Sequence, residues 1–231
     1  MNFLRSLFQS SLGKKYVMAI TGGLLFLFVI GHMLGNLQIF VGPEQINAYG
    51  HFLQHTPEIL WPARIGLLAL VVLHIWSAIQ VSLENKAARP VGYAGNPKPV
   101  ATNFASRTLL MSGLIIAAFI VYHLLHFTVQ VKALNLTGQD FISLHDEKQR
   151  HDVYRMMIVG FSSPWVSGFY ILAMALLCLH LSHGVSSMFQ TLGLKNKAWG
   201  VLIDRFAKLA AAGIFLGNCS IPVAILLRCI K

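Results

Sequence analysis

Residues 16–40 read YVMAITGGLLFLFVIGHMLGNLQIF, twenty-five positions without one Asp, Glu, Lys or Arg. Helical residues each advance about 1.5 Å, so a run of about twenty spans a hydrocarbon core of about 30 Å. The stretch is too long for the apolar part of a secretory signal, and no small-residue cleavage site follows it, so it is expected to remain in the mature chain. Further charge-free stretches cover 65–83, 108–131, 156–194 and 209–227. In the fourth, Ser162-Ser163-Pro164-Trp165 reads as a helix start, with Ser as cap and Pro in the first turn. The second is expected to begin near Trp61-Pro62, upstream of Arg64. None alternates in polarity as a barrel strand does. The expected fold is therefore all-α: one membrane domain over 1–231, a five-helix bundle with spans at about 16–40, 61–84, 107–131, 163–190 and 207–228. Ahead of them Phe3, Leu4, Leu7 and Phe8 recur at helical spacing, which suits a short interfacial segment within 1–14.

Hydrophobic residues make up 55% of the chain and charged residues 11%, against roughly 25% charged in a soluble domain, so lipid is the main solvent. The net charge of +10 does not point to nucleic acid, because Lys and Arg lie in the short gaps between apolar runs rather than on one water-facing surface. With the N-terminus inside, the inner connections hold eleven of the eighteen Lys and Arg and the outer ones seven. That excess predicts a cytoplasmic N-terminus and an external C-terminus. Cys178, Cys219 and Cys229 show no C-x-x-C spacing and are read as small apolar packers. The outer connection from Lys132 to about Gly160 carries the densest mixed charge and is expected to be a solvated loop or surface helix. No internal repeat is evident.

Six of the ten histidines lie within the spans: His32 in the first, His74 in the second, His123 and His126 in the third, His180 and His183 in the fourth. A polar ionisable side chain at that depth is costly and marks a functional site. His32 is eight residues from Phe40 and His123 nine from Lys132, placing both about 12–14 Å below the outer edge. His74 is thirteen residues from Trp61 and His180 fifteen from Trp165, about 20–22 Å down. Two imidazoles facing each other at one depth can supply both axial ligands of a haem iron. Two tiers would hold two haems b, with no C-x-x-C-H for covalent attachment. A lone intramembrane His can instead be a helix-to-helix hydrogen-bond partner. His126 and His183, each three residues from a favoured ligand, remain alternative ligands. Gly31 and Gly35 beside His32 would admit either a porphyrin or a neighbouring helix. On the fourth span His180, His183, Gly184 and Ser187 form one polar face expected to point inward, and His123, His126 and Gln130 repeat it on the third.

Ser11-Leu12-Gly13-Lys14-Lys15, Met18-Ala19-Ile20-Thr21-Gly22 and Gly31-His32-Met33-Leu34-Gly35-Asn36-Leu37 are followed by Tyr122-His123, by Ser162-Ser163-Pro164 with Gly168-Phe169-Tyr170, and by Leu179-His180-Leu181-Ser182-His183-Gly184. In order and spacing this series resembles the single-subunit, di-haem cytochrome b558 membrane anchors of succinate:quinone oxidoreductases, the succinate dehydrogenases and fumarate reductases, over nearly the whole chain. The resemblance implies an outer haem held by His32 and His123 and an inner haem held by His74 and His180. It also implies a flavoprotein subunit and an iron–sulfur subunit on the cytoplasmic face, electron transfer to or from a membrane quinone, menaquinone or ubiquinone, and room for a higher oligomer of the complex. The dicarboxylate site would lie in another subunit. Some members carry a Glu two residues before the fourth-span ligand that assists proton movement; here that position is Cys178. Asn47, His51 and His55 beside Phe52 are candidate quinone partners, and Arg64 and Arg107 candidate haem-propionate partners. A cytochrome b anchor of another quinone-linked dehydrogenase, and a transporter using its histidines for protons or metal ions, are the competing readings.

Overall fold

The computed structural model describes residues 3–88 and 108–231. The expected propionate partner Arg107 lies outside them. Among the described residues the chain forms helices and loops with no strand, save one isolated bridge between His145 and His151. The helices are α1 (Phe3–Gln9), α2 (Ser11–Asn36), α3 (Pro43–Gln54), α4 (Pro57–Ala87), α5 (Leu109–His123), α6 (Val153–Ser162), α7 (Pro164–Thr191) and α8 (Gly200–Leu226). Five stretches are long and apolar enough to cross a membrane: α2 with the tight turn Leu37–Phe40, α4, α5 with the wide turn Leu124–Thr128, α7 and α8. Their large apolar side chains are turned outward: Leu27, Leu68 and Leu216 are 63%, 63% and 66% exposed. A water-soluble monomer rarely leaves so continuous an apolar surface bare.

The helix ends depart from expectation because polar residues are drawn into the terminal turns. α2 starts at Ser11, where the Ser10 hydroxyl accepts from the Gly13 N–H at 3.0 Å, so Lys14 lies inside the helix and pairs with Glu84 of α4. α4 starts at Pro57, not at Trp61-Pro62; Pro57 takes the first-turn position and Pro62 sits inside the helix, leaving the Glu58 carbonyl without its usual donor. α8 starts at Gly200, and its early residue Asp204 pairs with Lys195 at 2.7 Å. Ser163 does precede α7, but its side chain makes no capping hydrogen bond. The outer connection is only partly the solvated segment expected: α6 buries Met156, Met157, Gly160 and Phe161.

α2 packs along α4, α7 along α8, and α7 also lies beside α2 and α5. α2, α4, α5 and α7 thus surround a shared interior, with α8 behind α7 and α2. One apolar cluster, near the end carrying Phe40, gathers Ile39, Phe119, Phe161 and Tyr170 with Ile221. The other, toward the opposite end, gathers Phe26, Leu181, Val185 and Ile214. At the Phe40 end Glu44 of α3 is bound by Lys148 at 2.8 Å and Arg150 at 2.7 Å, and Arg150 also holds Asp146 at 2.6 Å.

Candidate functional site: two facing imidazole pairs

Each of the four interior helices brings one favoured histidine to a partner on another helix. His32 of α2 faces His123 of α5 with ring centres 5.7 Å apart and planes at 87°. His74 of α4 faces His180 of α7 at 6.4 Å and 69°. An iron between two imidazoles sits about 2 Å from each nitrogen, with each ring centre roughly 1 Å further on, so bis-imidazole ligation needs centres about 6 Å apart. Both pairs meet that spacing. The two pairs also fall at different levels, since His74 reaches Thr21 on α2, eleven residues or about 16 Å from His32.

The His74–His180 pair is held by matched seats. His74 Nδ1 lies 3.1 Å from the Met18 carbonyl and 3.2 Å from Thr21 Oγ1, whose own proton goes to the Val17 carbonyl. The carbonyl can only accept, so Nδ1 carries the hydrogen and Nε2 keeps its lone pair, the tautomer that ligates a metal. A Cβ on Gly22 would stand 2.9 Å from His74 Cε1, so the absence of a side chain there is what lets the ring lie against α2. On the opposite side His180 Nδ1 lies 3.4 Å from Ser112 Oγ, which donates to the Leu109 carbonyl, and a Cβ on Gly113 would stand 3.3 Å from His180 Cε1. Thr21-Gly22 and Ser112-Gly113 were not singled out as seats from sequence. A signal for them is present: hydroxyl, Gly, nine residues, His occurs as Thr21-Gly22 to His32 on α2 and again as Ser112-Gly113 to His123 on α5. Each of these helices therefore seats one histidine of the lower pair and supplies one of the upper.

In the upper pair, Phe28 stacks on His32 at 5.4 Å and Phe119 on His123 at 6.0 Å. Gly31 faces open space, whereas Gly35 admits the Tyr49 ring of α3, whose Cε1 would be 2.9 Å from an added Cβ. The two alternative ligands, His126 and His183, have hydrogen-bond partners of their own. His126 is 0% exposed, with Nδ1 at 3.0 Å from the Tyr170 hydroxyl. It lies within the wide turn Leu124–Thr128 that follows α5, a local form frequent at functional sites, whereas the ring that faces His32 is that of His123. His183 shares a 3.0 Å hydrogen bond between Nε2 and Ser187 Oγ. Gln130 leaves the helix at a φ of 62° and meets His151 Nε2 at 3.1 Å.

The expected quinone partners gather around α3 but are differently disposed. Asn47 is 2% exposed and its amide is occupied at both ends, donating to Asp152 Oδ1 at 3.0 Å and accepting from the Tyr154 N–H at 2.9 Å. It ties α3 to the start of α6. His51 and His55 stack at 3.8 Å near the end of α3, with Phe52 exposed between them. Arg64 lies over the Trp61 ring at 5.3 Å. Burial depresses the His151 pKa, and hydrogen bonds from Arg150 and then Lys148 hold the Glu44 carboxyl down to about 2.

Fold and site together define a helical bundle of five apolar, membrane-length segments with two interior imidazole pairs. Among the described residues no group of three or more His, Cys, Asp or Glu converges as a metal centre of zinc type would require. Comparison of the chain with family models, with curated proteins and with solved structures finds no match.

Proposed function

We propose that the chain is a di-haem cytochrome b, the membrane anchor of a succinate dehydrogenase or fumarate reductase complex, carrying electrons between an iron–sulfur subunit and membrane quinone. The observation that carries this reading is the pair of ring separations, 5.7 Å and 6.4 Å, each joining two helices. His32 and His123 would hold the outer haem, His74 and His180 the inner. When bound, the haems supply one-electron redox chemistry and leave no open coordination position. The chain's own part is orientation: Met18, Thr21 and Ser112 keep Nδ1 of the inner pair engaged, so Nε2 remains the ligating atom. Gly22 and Gly113 set how closely those rings approach their helices. The resemblance to the cytochrome b558 anchors supports the choice of complex, the flavoprotein and iron–sulfur partners, the cytoplasmic N-terminus and the location in the inner membrane. The quinone is assigned to the His32–His123 end, where His51 and His55 remain candidate partners. Mixing the purified chain with a short-chain quinol tests the reading: haem bands should shift to the reduced form. Haem that is present but stays oxidised with both menaquinol and ubiquinol analogues removes the quinone assignment.

A further inference from the structure

Tyr170 of α7 is 6% exposed and its hydroxyl stands between two histidines, 3.0 Å from His126 Nδ1 and 3.4 Å from His123 Nδ1. One hydroxyl has a single proton to give and lone pairs with which to accept. His126 is fully buried, lies 4.0 Å from the Phe127 ring and 5.7 Å from Phe141, and its Nε2 has no hydrogen-bond partner among the described residues. Buried polar atoms left in that state are rare and call for an explanation.

Resting on the di-haem reading, we propose that Tyr170 is a positioning residue for the outer haem, linking His126 to His123 in one directed hydrogen-bond chain. The direction follows from what His123 must present. Ligation through Nε2 requires the hydrogen on Nδ1, so His123 donates to the Tyr170 oxygen. Tyr170 then has its proton free to donate to His126 Nδ1. That leaves the single hydrogen of neutral His126 on Nε2, enclosed by aromatic rings that can tolerate an N–H but offer no proton. The unpartnered Nε2 of His126 is thus the terminus of the chain of hydrogen bonds. Its effect is to polarise Tyr170, strengthen the bond from His123 and make that imidazole a better donor to ferric iron, which lowers the outer haem's midpoint potential.

The test uses the full chain with Tyr170→Phe, His126→Leu and His126→Asn, the last replacing the Nδ1 acceptor by an amide oxygen. Haem per chain, midpoint potentials and the low-spin ferric spectrum are measured on each. Tyr170→Phe should keep two haems while the outer potential rises by about 59 mV for each tenfold loss of ferric preference. His126→Leu should shift it the same way by less, His126→Asn should restore it, and the double variant Tyr170→Phe/His126→Leu should shift no further than Tyr170→Phe. Two haems with unmoved potential and spectrum in Tyr170→Phe overturn the proposal. Should that variant not accumulate, the two His126 variants decide by the same readings. If the parent chain holds no haem, the functional reading falls, and nitrogen NMR of its histidines judges the hydrogen-bond chain separately. Hydrogen on Nδ1 of His123 and Nε2 of His126 upholds it, and the reverse tautomers overturn it.

Discussion

Replacing Gly22 by Ala perturbs the inner site with a single methyl group. The added Cβ would lie 2.9 Å from His74 Cε1 and 3.3 Å from Nδ1, whereas carbon atoms in contact prefer about 3.5–4.0 Å. The ring must therefore retreat by about 0.6 Å or more. It cannot do so freely, because Nδ1 is already 3.1 Å from the Met18 carbonyl, and a retreat of that size carries the bond beyond the range in which it counts as one. Overpacking costs about 1–3 kcal/mol and the weakened hydrogen bond about 1 kcal/mol, together about 2–4 kcal/mol or roughly 30- to 900-fold in inner-haem retention, which at its lower end overlaps the roughly 10–100-fold penalty usual for disturbing the support of a metal ligand. The assay is haem per purified chain with the absorption spectrum of each haem resolved by stepwise reduction. Gly22→Ala should fall from two haems toward one and keep the outer signature. Gly213→Ala on α8, which carries no histidine and where an added Cβ meets nothing within 4 Å, should keep both. Two haems with an unchanged inner signature in Gly22→Ala would refute the seating role of Gly22.

Substituting His126 or His183 by Leu should leave two haems per chain, and loss of a haem from either variant would transfer ligation to that residue. Asn47→Ala removes an amide bonded to Asp152 and to the Tyr154 N–H; detergent-solubilised protein should lose about 1–3 kcal/mol of stability, seen as a lower Tm, and an unchanged melting curve would contradict the tie between α3 and α6. Glu44 has a folded pKa lowered from 4.5 to about 2 by Arg150 and Lys148, so the unfolded state takes up its proton first as pH falls. Its contribution is complete above about 4.5 and lost on descending toward about 2. Thermal melts of the parent and Glu44→Gln should differ at pH 7 and converge near pH 2, and a gap that widens on acidification has the wrong sign.

The five membrane-length helices were legible because the absence of charge over some twenty residues has one economical structural meaning, whatever the neighbours. Their ends were not, since Lys14 and Glu84 enter terminal turns by pairing across two helices brought together by packing, and Asp204 by pairing with Lys195 of the turn before α8. The pairing of His32 with His123 and of His74 with His180 followed from depth alone, as helical rise converts residue number into distance. The surroundings of His126, kept in the sequence as an alternative to His123, were not legible, because it lies in the wide turn Leu124–Thr128, where the regular helical rotation that such a comparison relies on does not hold. Asn47 looked available to a ligand because its partners, Asp152 and Tyr154, lie more than a hundred residues further along the chain. The seats at Thr21-Gly22 and Ser112-Gly113 were written twice at one spacing, yet hydroxyl and glycine neighbours are so common that the spacing gains meaning only once His74 and His180 are seen resting there.

Quantifying iron porphyrin in the purified, full-length polypeptide bears most directly on whether the facing imidazoles are ligand pairs. The expected result is two protohaems per chain with low-spin, six-coordinate spectra, dropping to one when any of His32, His74, His123 or His180 is replaced. A colourless preparation that is folded and helical, or pigment that survives all four replacements, would contradict it.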